Sequence, residues 1–194
     1  MSIRTLSSRE VYRNQWMRVR EDKIERKDGS AGIYGVVDKV DSAVIIAIAD
    51  EHLYLVEQFR YTVQQQCMEL PQGSWEQAGD VAPEELARGE LREETGLTAE
   101  RLMHLGTMFL SYGFVNQKQH IFLATGLTQG PAQPDPEEHD IAVHRVPIGE
   151  FERMLLTGAI RDATTLAAWG LYKVWYEQQR AQDVPRVAWD PALP

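Results

Sequence analysis

The run Ala43-Val44-Ile45-Ile46-Ala47-Ile48-Ala49 carries no polar side chain. A short apolar run bounded by turn residues reads as a strand buried on both faces, so the sheet that contains it needs a packing layer on each side. Asp50-Glu51-His52 turns the chain back into a second strand, Leu53 to Tyr61. Upstream, Trp16 to Arg26 alternates in part between apolar and charged residues, and Lys27-Asp28-Gly29-Ser30 reads as a hairpin turn into Gly32 to Val40. Downstream, strands are expected over Leu102 to Leu110, Gln119 to Ala124 and Ile141 to Val146. Helices are expected over Glu84 to Glu94, Ile148 to Thr157 and Ala163 to Arg180, with Leu166, Gly170, Val174 and Glu177 marking turns of the last. Gly126 to Pro136 is rich in Pro and Gly and reads as a mobile surface loop, and the chain from Ala181 reads as an irregular tail. Strands mixed with a few helices point to an α/β sandwich.

With 194 residues, one domain is the default and the chain is long enough for a sizeable core. Twenty basic residues against twenty-nine acidic ones leave a net charge of −9, which argues against a dedicated nucleic-acid surface or an anionic-membrane surface. An acidic protein that handles an anionic substrate needs cations at its site. The lone Cys67 has no internal disulfide partner and reads as a small buried hydrophobe rather than a catalytic thiol. Met1 to Glu10 lacks the apolar core of a signal peptide, and Ala43 to Ala49 is too short to cross a bilayer. A cytoplasmic location is the expectation.

Chemistry concentrates in Gly89-Glu90-Leu91-Arg92-Glu93-Glu94-Thr95-Gly96-Leu97. Spacings of three and four residues put Glu90, Glu93 and Glu94 on one side of a helix, a turn apart. Pro83 suits the first helical turn and Gly96 a left-handed stop. Carboxylates this close repel one another, and a hard divalent cation bound through oxygen would convert the repulsion into a site. Such an ion commonly faces phosphate oxygens. A solvated acidic helix face is the alternative.

Together with Glu69-Leu70-Pro71-Gln72-Gly73-Ser74-Trp75-Glu76 upstream, this segment resembles the Nudix box, G-x5-E-x7-R-E-U-x-E-E-x-G-U with U a bulky aliphatic. Gly73, Glu90, Leu91, Glu93, Glu94, Gly96 and Leu97 match it. Two departures stand out. The interval from Gly73 to Glu90 is two residues longer than the pattern, so the box's first glutamate has no counterpart; Gly79 stands near its place, with Asp80 and Glu76 the nearest acids. Gly89 stands where the pattern has an arginine that buttresses the glutamates and the loop, and Arg88 and Arg92 flank it. The resemblance implies an α/β/α sandwich with a mixed central sheet, and Mg²⁺ (or Mn²⁺) held by Glu90 and Glu94 with the Gln72 backbone carbonyl.

Trp16 to Asp22, Leu55 to Tyr61, Met68 to Pro71 and Asp162 to Leu166 look like the ADP-ribose pyrophosphatase branch of that family. This similarity implies an N-terminal antiparallel strand extension (residues 1–40) that serves a homodimer and its substrate pocket, a hydrolase domain at 41–180 and an irregular tail at 181–194. It also implies cleavage of a nucleoside diphosphate-sugar, ADP-ribose first, into a nucleoside monophosphate and a sugar phosphate. By the same similarity Arg60 would contact phosphate, a task that suits a guanidinium fork. Trp16 and, more loosely, Tyr34 would stack on the base, and Glu76 would line the substrate loop or cap the insertion. That branch often draws its general base from a later loop, whose place here is Pro136 to Ile141, which implies Glu138, then Glu137; Glu93 in the helix is the competing base, as in other Nudix enzymes, and His139 reads as a bystander. Tyr112, fifteen residues past Leu97, looks like a feature of dinucleoside polyphosphate hydrolases and widens the substrate list to them and to UDP- or GDP-sugars. A non-catalytic nucleotide-sugar sensor and an isomerase on the same scaffold are the readings from other classes.

Overall fold

β4 (Ser42–Ala49) runs through the middle of the protein, and its alternate side chains serve two different cores. Val44 and Ile46 pack with Leu53, Leu55, Ile121, Leu123, Phe151 and Trp169. Ala43, Ile45 and Ala47 pack on the other side with Leu86, Leu91, Leu97 and Phe122. This is the two-residue period of a strand with a layer on each face. The computed structural model describes residues 3–75, 81–131 and 141–181.

The chain enters through β1 (Ile3–Arg13), β2 (Arg18–Arg26) and β3 (Ala31–Asp38), which form a separate antiparallel sheet. The main sheet has the order β10-β5-β4-β9-β8, from β5 (His52–Arg60), β8 (Leu97–Phe109), β9 (Lys118–Gln129) and β10 (Ala142–Pro147). Two short strands, β6 (Gln65–Glu69) and β7 (Gln72–Gly73), pair with β5 and β4. β4 and β9 are parallel while β5 pairs antiparallel with β4 and β10, so the sheet is mixed. Helix α1 (Pro83–Thr95) packs on β4 and β8 over one face; α2 (Ile148–Thr157) and α3 (Ala163–Arg180) belong to the core on the other. The α/β/α sandwich and the antiparallel extension are therefore as the sequence implied.

Local chemistry sets the boundaries. Pro83 opens α1, and Gly96 ends it at φ 73° with its amide on the Arg92 carbonyl, 2.9 Å. β8 begins at Leu97, five residues ahead of the expected start at Leu102, and β9 extends to Gln129, past the expected end at Ala124. The first part of the segment read as a loop from Gly126 is thus strand. Gly126 lies at φ 66°, and a Cβ there would come within 2.7 Å of the Glu100 Cβ, so this glycine permits close approach inside a ladder rather than a turn. Residues 132–136 of that segment, and the tail from 182, lie outside the described residues. β1 escaped the sequence reading as an individual strand because every one of its residues is exposed, which removes the alternation that marks a half-buried strand. No helix among the described residues is long and apolar enough to cross a membrane.

Candidate active site

The site is built where β7 is pressed between β4 and α1. Val44 and Ala43 pair with Gln72 and Gly73, and the Ile45 amide donates to the Pro71 carbonyl at 2.8 Å. This fixes the backbone of residues 71–73 against the inward side of α1. Glu90 and Glu94, four residues apart on that side, are 5% and 1% exposed. The Gln72 amide donates to Oε2 of Glu94 at 2.9 Å. A methyl group at Gly73 would overlap the Glu90 carboxylate, so a larger residue here would require that carboxylate to shift. Burying two neighbouring carboxylates is costly unless donors or a cation compensate them. The donor set is all oxygen, two buried carboxylates facing a stretch of backbone, which is the chemistry hard divalent ions take.

A second layer of hydrogen bonds holds this loop from the opposite side. The Gln72 side-chain amide donates to Oε2 of Glu69 at 2.9 Å and to Oδ2 of Asp162 at 3.2 Å. Its oxygen accepts from Gln119 at 3.0 Å, and Gln119 in turn accepts from the Thr164 hydroxyl at 3.0 Å. Asp162 caps α3 through the amides of Thr164 and Thr165, and the Thr165 hydroxyl accepts from the Leu70 amide at 3.0 Å. Arg60 forks onto buried Glu69 with contacts of 2.8 and 2.5 Å. Glu69 raises the Arg60 pKa above its usual value against an opposing effect of burial, and Glu94 and Asp162 act in the same direction as Glu69. A cleft of about 540 Å³ opens beside this network, with Arg60, Arg161, Lys39, Gln72 and Gly73 on its walls. Glu69 and Asp162 also line it, so acidic and cationic side chains face the cleft together, as an anionic, metal-associated ligand requires.

Residues 3–37 match the model of the nucleoside diphosphate sugar hydrolase N-terminal domain, and residues 39–169 match the NUDIX domain. The chain belongs to the Nudix hydrolase superfamily. It falls in the ADP-ribose pyrophosphatase-like branch and is a pyrophosphohydrolase. An ADP-ribose pyrophosphatase of Mycobacterium tuberculosis is 31% identical over 165 residues, covering 84% of this chain and 79% of the relative. One of Bacillus subtilis is 26% identical, covering 85% and 89%. The crystal structure of an ADP compounds hydrolase superposes with a TM-score of 0.78 at 21% identity over 92% of this chain and 96% of that one, a likeness of fold.

In the Nudix frame, Gln72, Glu90 and Glu94 come together between β7 and α1. Glu93 points less deeply, its side chain 24% exposed, and its Oε2 accepts from the Trp75 indole at 3.1 Å. Among the described residues no three His, Cys, Asp or Glu side chains stand ready as a cage for an ion. Glu94 accepts from the Gln72 amide and Glu93 from the Trp75 indole, while the Glu90 carboxylate fills the space beside Gly73. Arg60 reaches the cleft, with its Nε and Nη2 edge turned to Glu69. Trp16 is 44% exposed in a hollow shared with Arg13, Arg18 and Lys39, and Lys39 also borders the main cleft. The Tyr34 hydroxyl donates to the Gly113 carbonyl at 2.8 Å, tying β3 to the loop that carries exposed Tyr112. Glu76, Gly79, Asp80, Glu137, Glu138 and His139 lie outside the described residues.

Two features depart from the sequence reading. Cys67 is only half-buried and lines the cleft, because β6 hydrogen-bonds to β5 at the cleft's edge instead of running through the core. The Gln72 side chain, to which no role was given, is the hub of the second layer. Glu69, Gln119, Arg161 and Trp75 were also missed as site components. Asp162-Ala163-Thr164-Thr165 carries a helix-cap signature that could have marked the α3 end of the network. Gln119, forty-seven residues from Gln72, leaves no such trace.

Proposed function

We propose that the protein hydrolyses the diphosphate linkage of a nucleoside diphosphate-sugar in a Mg²⁺-dependent reaction, with ADP-ribose and water giving AMP and ribose 5-phosphate. The observation that carries this reading is the pair of buried glutamates, Glu90 and Glu94, packed against the Gln72–Gly73 backbone, whose residues also line a cleft with Arg60, Arg161 and Lys39 on its walls. The names of the two ADP-ribose pyrophosphatases and of the N-terminal domain model support the substrate class.

In this reading Glu90, Glu94 and the Gln72 carbonyl hold the ion. Mg²⁺ held there would neutralise the diphosphate and lower the pKa of the attacking water. Glu93 or Glu138 accepts the proton of that water as it adds to one phosphorus, and the anhydride oxygen leaves with the other phosphate. Arg60 presents its remaining Nη1 edge to phosphate, with Arg161 and Lys39 adding positive field across the cleft. Trp16, in a hollow that shares Lys39 with the cleft, supplies a flat ring for the base, where stacking is worth about 1–3 kcal/mol. Tyr34 keeps a looser claim to base contact, since its hydroxyl is engaged by Gly113. Glu76 would line the substrate loop. The exposed Ile3, Leu6, Val11 and Tyr12 of β1 support a homodimer formed through the N-terminal sheet, and residues 1–40, 41–180 and 181–194 keep the three assignments made above.

A panel of ADP-ribose, UDP-sugars, GDP-sugars and dinucleoside polyphosphates, assayed with and without Mg²⁺, tests the proposal. Turnover of ADP-ribose above the others, abolished by chelation, is the expected result. Equal turnover by wild type and Glu94→Gln would remove the metal role of the helix, and binding without product would make the protein a sensor.

A further inference from the structure

The arginine of the Nudix pattern is missing at Gly89, and an aromatic ring occupies the space above that residue. A methyl group at Gly89 would overlap the six-membered ring of Trp75, with Cε2 of the same indole 3.1 Å away. The glycine is buried, and Trp75 is partly buried against Leu86, Ala87, Leu91 and the other apolar residues under α1. From there the indole Nε1–H donates to Oε2 of Glu93, one helical turn beyond Gly89, at 3.1 Å. The nearest guanidinium, Arg92, stands 3.9 Å from Glu93 Oε1 on a side chain 53% exposed, too far and too solvated to fix the carboxylate. Arg88, on the other side of Gly89, is engaged by Glu84 and the Ala99 carbonyl.

We propose that Trp75 is a positioning residue for Glu93: Gly89 clears the helix surface so that the indole can lie on it, and the indole N–H fixes the orientation of the Glu93 carboxylate. Glycine is a poor helix former, and here the weakness is tied to a close contact that no larger residue permits. The exchange has a chemical consequence. Indole is a neutral, donor-only group, so it orients a carboxylate without cancelling its charge, whereas a guanidinium would do both. The indole therefore orients Glu93 without placing a positive charge against the carboxylate. The inference rests on the reading above in which Glu93 acts at the diphosphate.

The test uses Trp75→Phe, Glu93→Gln, the double variant, and a second pair in which Gly89→Arg is made alone and with Trp75→Ala. Hydrolysis of the preferred nucleotide sugar gives kcat and KM, electron paramagnetic resonance gives the Kd for Mn²⁺ without substrate, and thermal unfolding reports the fold. Trp75→Phe keeps most of the ring and removes the donor; it is expected to lower kcat and Mn²⁺ affinity by roughly 10-fold each, with KM within about 2-fold. Adding Trp75→Phe to Glu93→Gln should then cause little further loss, because both changes act through one carboxylate. Gly89→Arg alone should be severely impaired by the clash, and Trp75→Ala should restore it at least in part. Unaltered kcat and Mn²⁺ affinity in Trp75→Phe, or losses that multiply fully with those of Glu93→Gln, would overturn the proposal. A wild-type protein that binds Mn²⁺ but hydrolyses nothing would defeat the hydrolase reading instead. The Mn²⁺ affinities of the same variants would still decide the role of Trp75.

Discussion

The Gln72 amide donates to Oε2 of Glu94 at 2.9 Å, joining the short strand β7 to the last turn of α1. Glu94 thus serves the fold and, in the proposed reaction, the ion. Glu94→Gln separates the two, because a glutamine oxygen can still accept from the Gln72 amide. Thermal unfolding should change little, while kcat for ADP-ribose falls by roughly 10²–10³-fold. Parallel measurement of kcat and Tm checks both expectations.

Gly73→Ala should damage the site from the other side. The added methyl overlaps the Glu90 carboxylate and forces either that side chain or β7 to move. Overpacking of this kind costs about 1–3 kcal/mol. Urea denaturation should show that loss together with an activity reduced by at least about 10-fold, since near-ångström misplacement of catalytic groups is expensive. An alanine variant with native stability would show that Glu90 is not seated under residue 73.

Asp162 links the α3 cap to Gln72. Asp162→Ala removes the cap and is expected to destabilise the protein by about 0.5–2 kcal/mol. It should also lower kcat by loosening the Gln72 side chain, whereas Asp162→Asn, which keeps an acceptor, should lose less of both. Chemical denaturation and initial rates on the three proteins give the comparison.

His120 provides a pH prediction away from the cleft floor. Burial lowers its pKa from the ordinary value of 6.5, opposed by Asp41, while the Thr107 hydroxyl contacts its Nδ1 at 3.0 Å. The folded state therefore favours neutral imidazole, and between the lowered value and 6.5 the unfolded chain binds more protons. Stability rises with pH across that window, is complete above about 6.5 and declines on acidification. Tm measured at about pH 5.5 and 7.5 should differ less in His120→Gln than in wild type. An unchanged difference would remove His120 as the cause.

The sequence exposed those parts of the molecule whose signals are local. Ala43 to Ala49 announced a doubly covered strand, and Pro83 and Gly96 bracketed the glutamate helix, because burial pattern and backbone geometry are written in adjacent residues. β1 was invisible as a strand because no face of it is buried in this chain, and Gly126 misled because one residue type serves both turns and close packing. The glutamates were legible through their spacing. Their supports were not: Trp75 on Glu93 and Gln119 on Gln72 are contacts made only when distant segments fold together. Gly89 read as a defect in the motif, and the indole that fills the space above it is seen only in the folded chain.

In the proposed reaction Glu90, Glu94 and the Gln72 carbonyl hold a divalent ion between β7 and α1. Anomalous diffraction from crystals of the protein grown with Mn²⁺ tests it most directly. The account predicts a peak within roughly 2.0–2.4 Å of oxygens from both glutamates and of the Gln72 carbonyl. Saturating Mn²⁺ with no peak there, and both carboxylates still turned to their present neighbours, would contradict it.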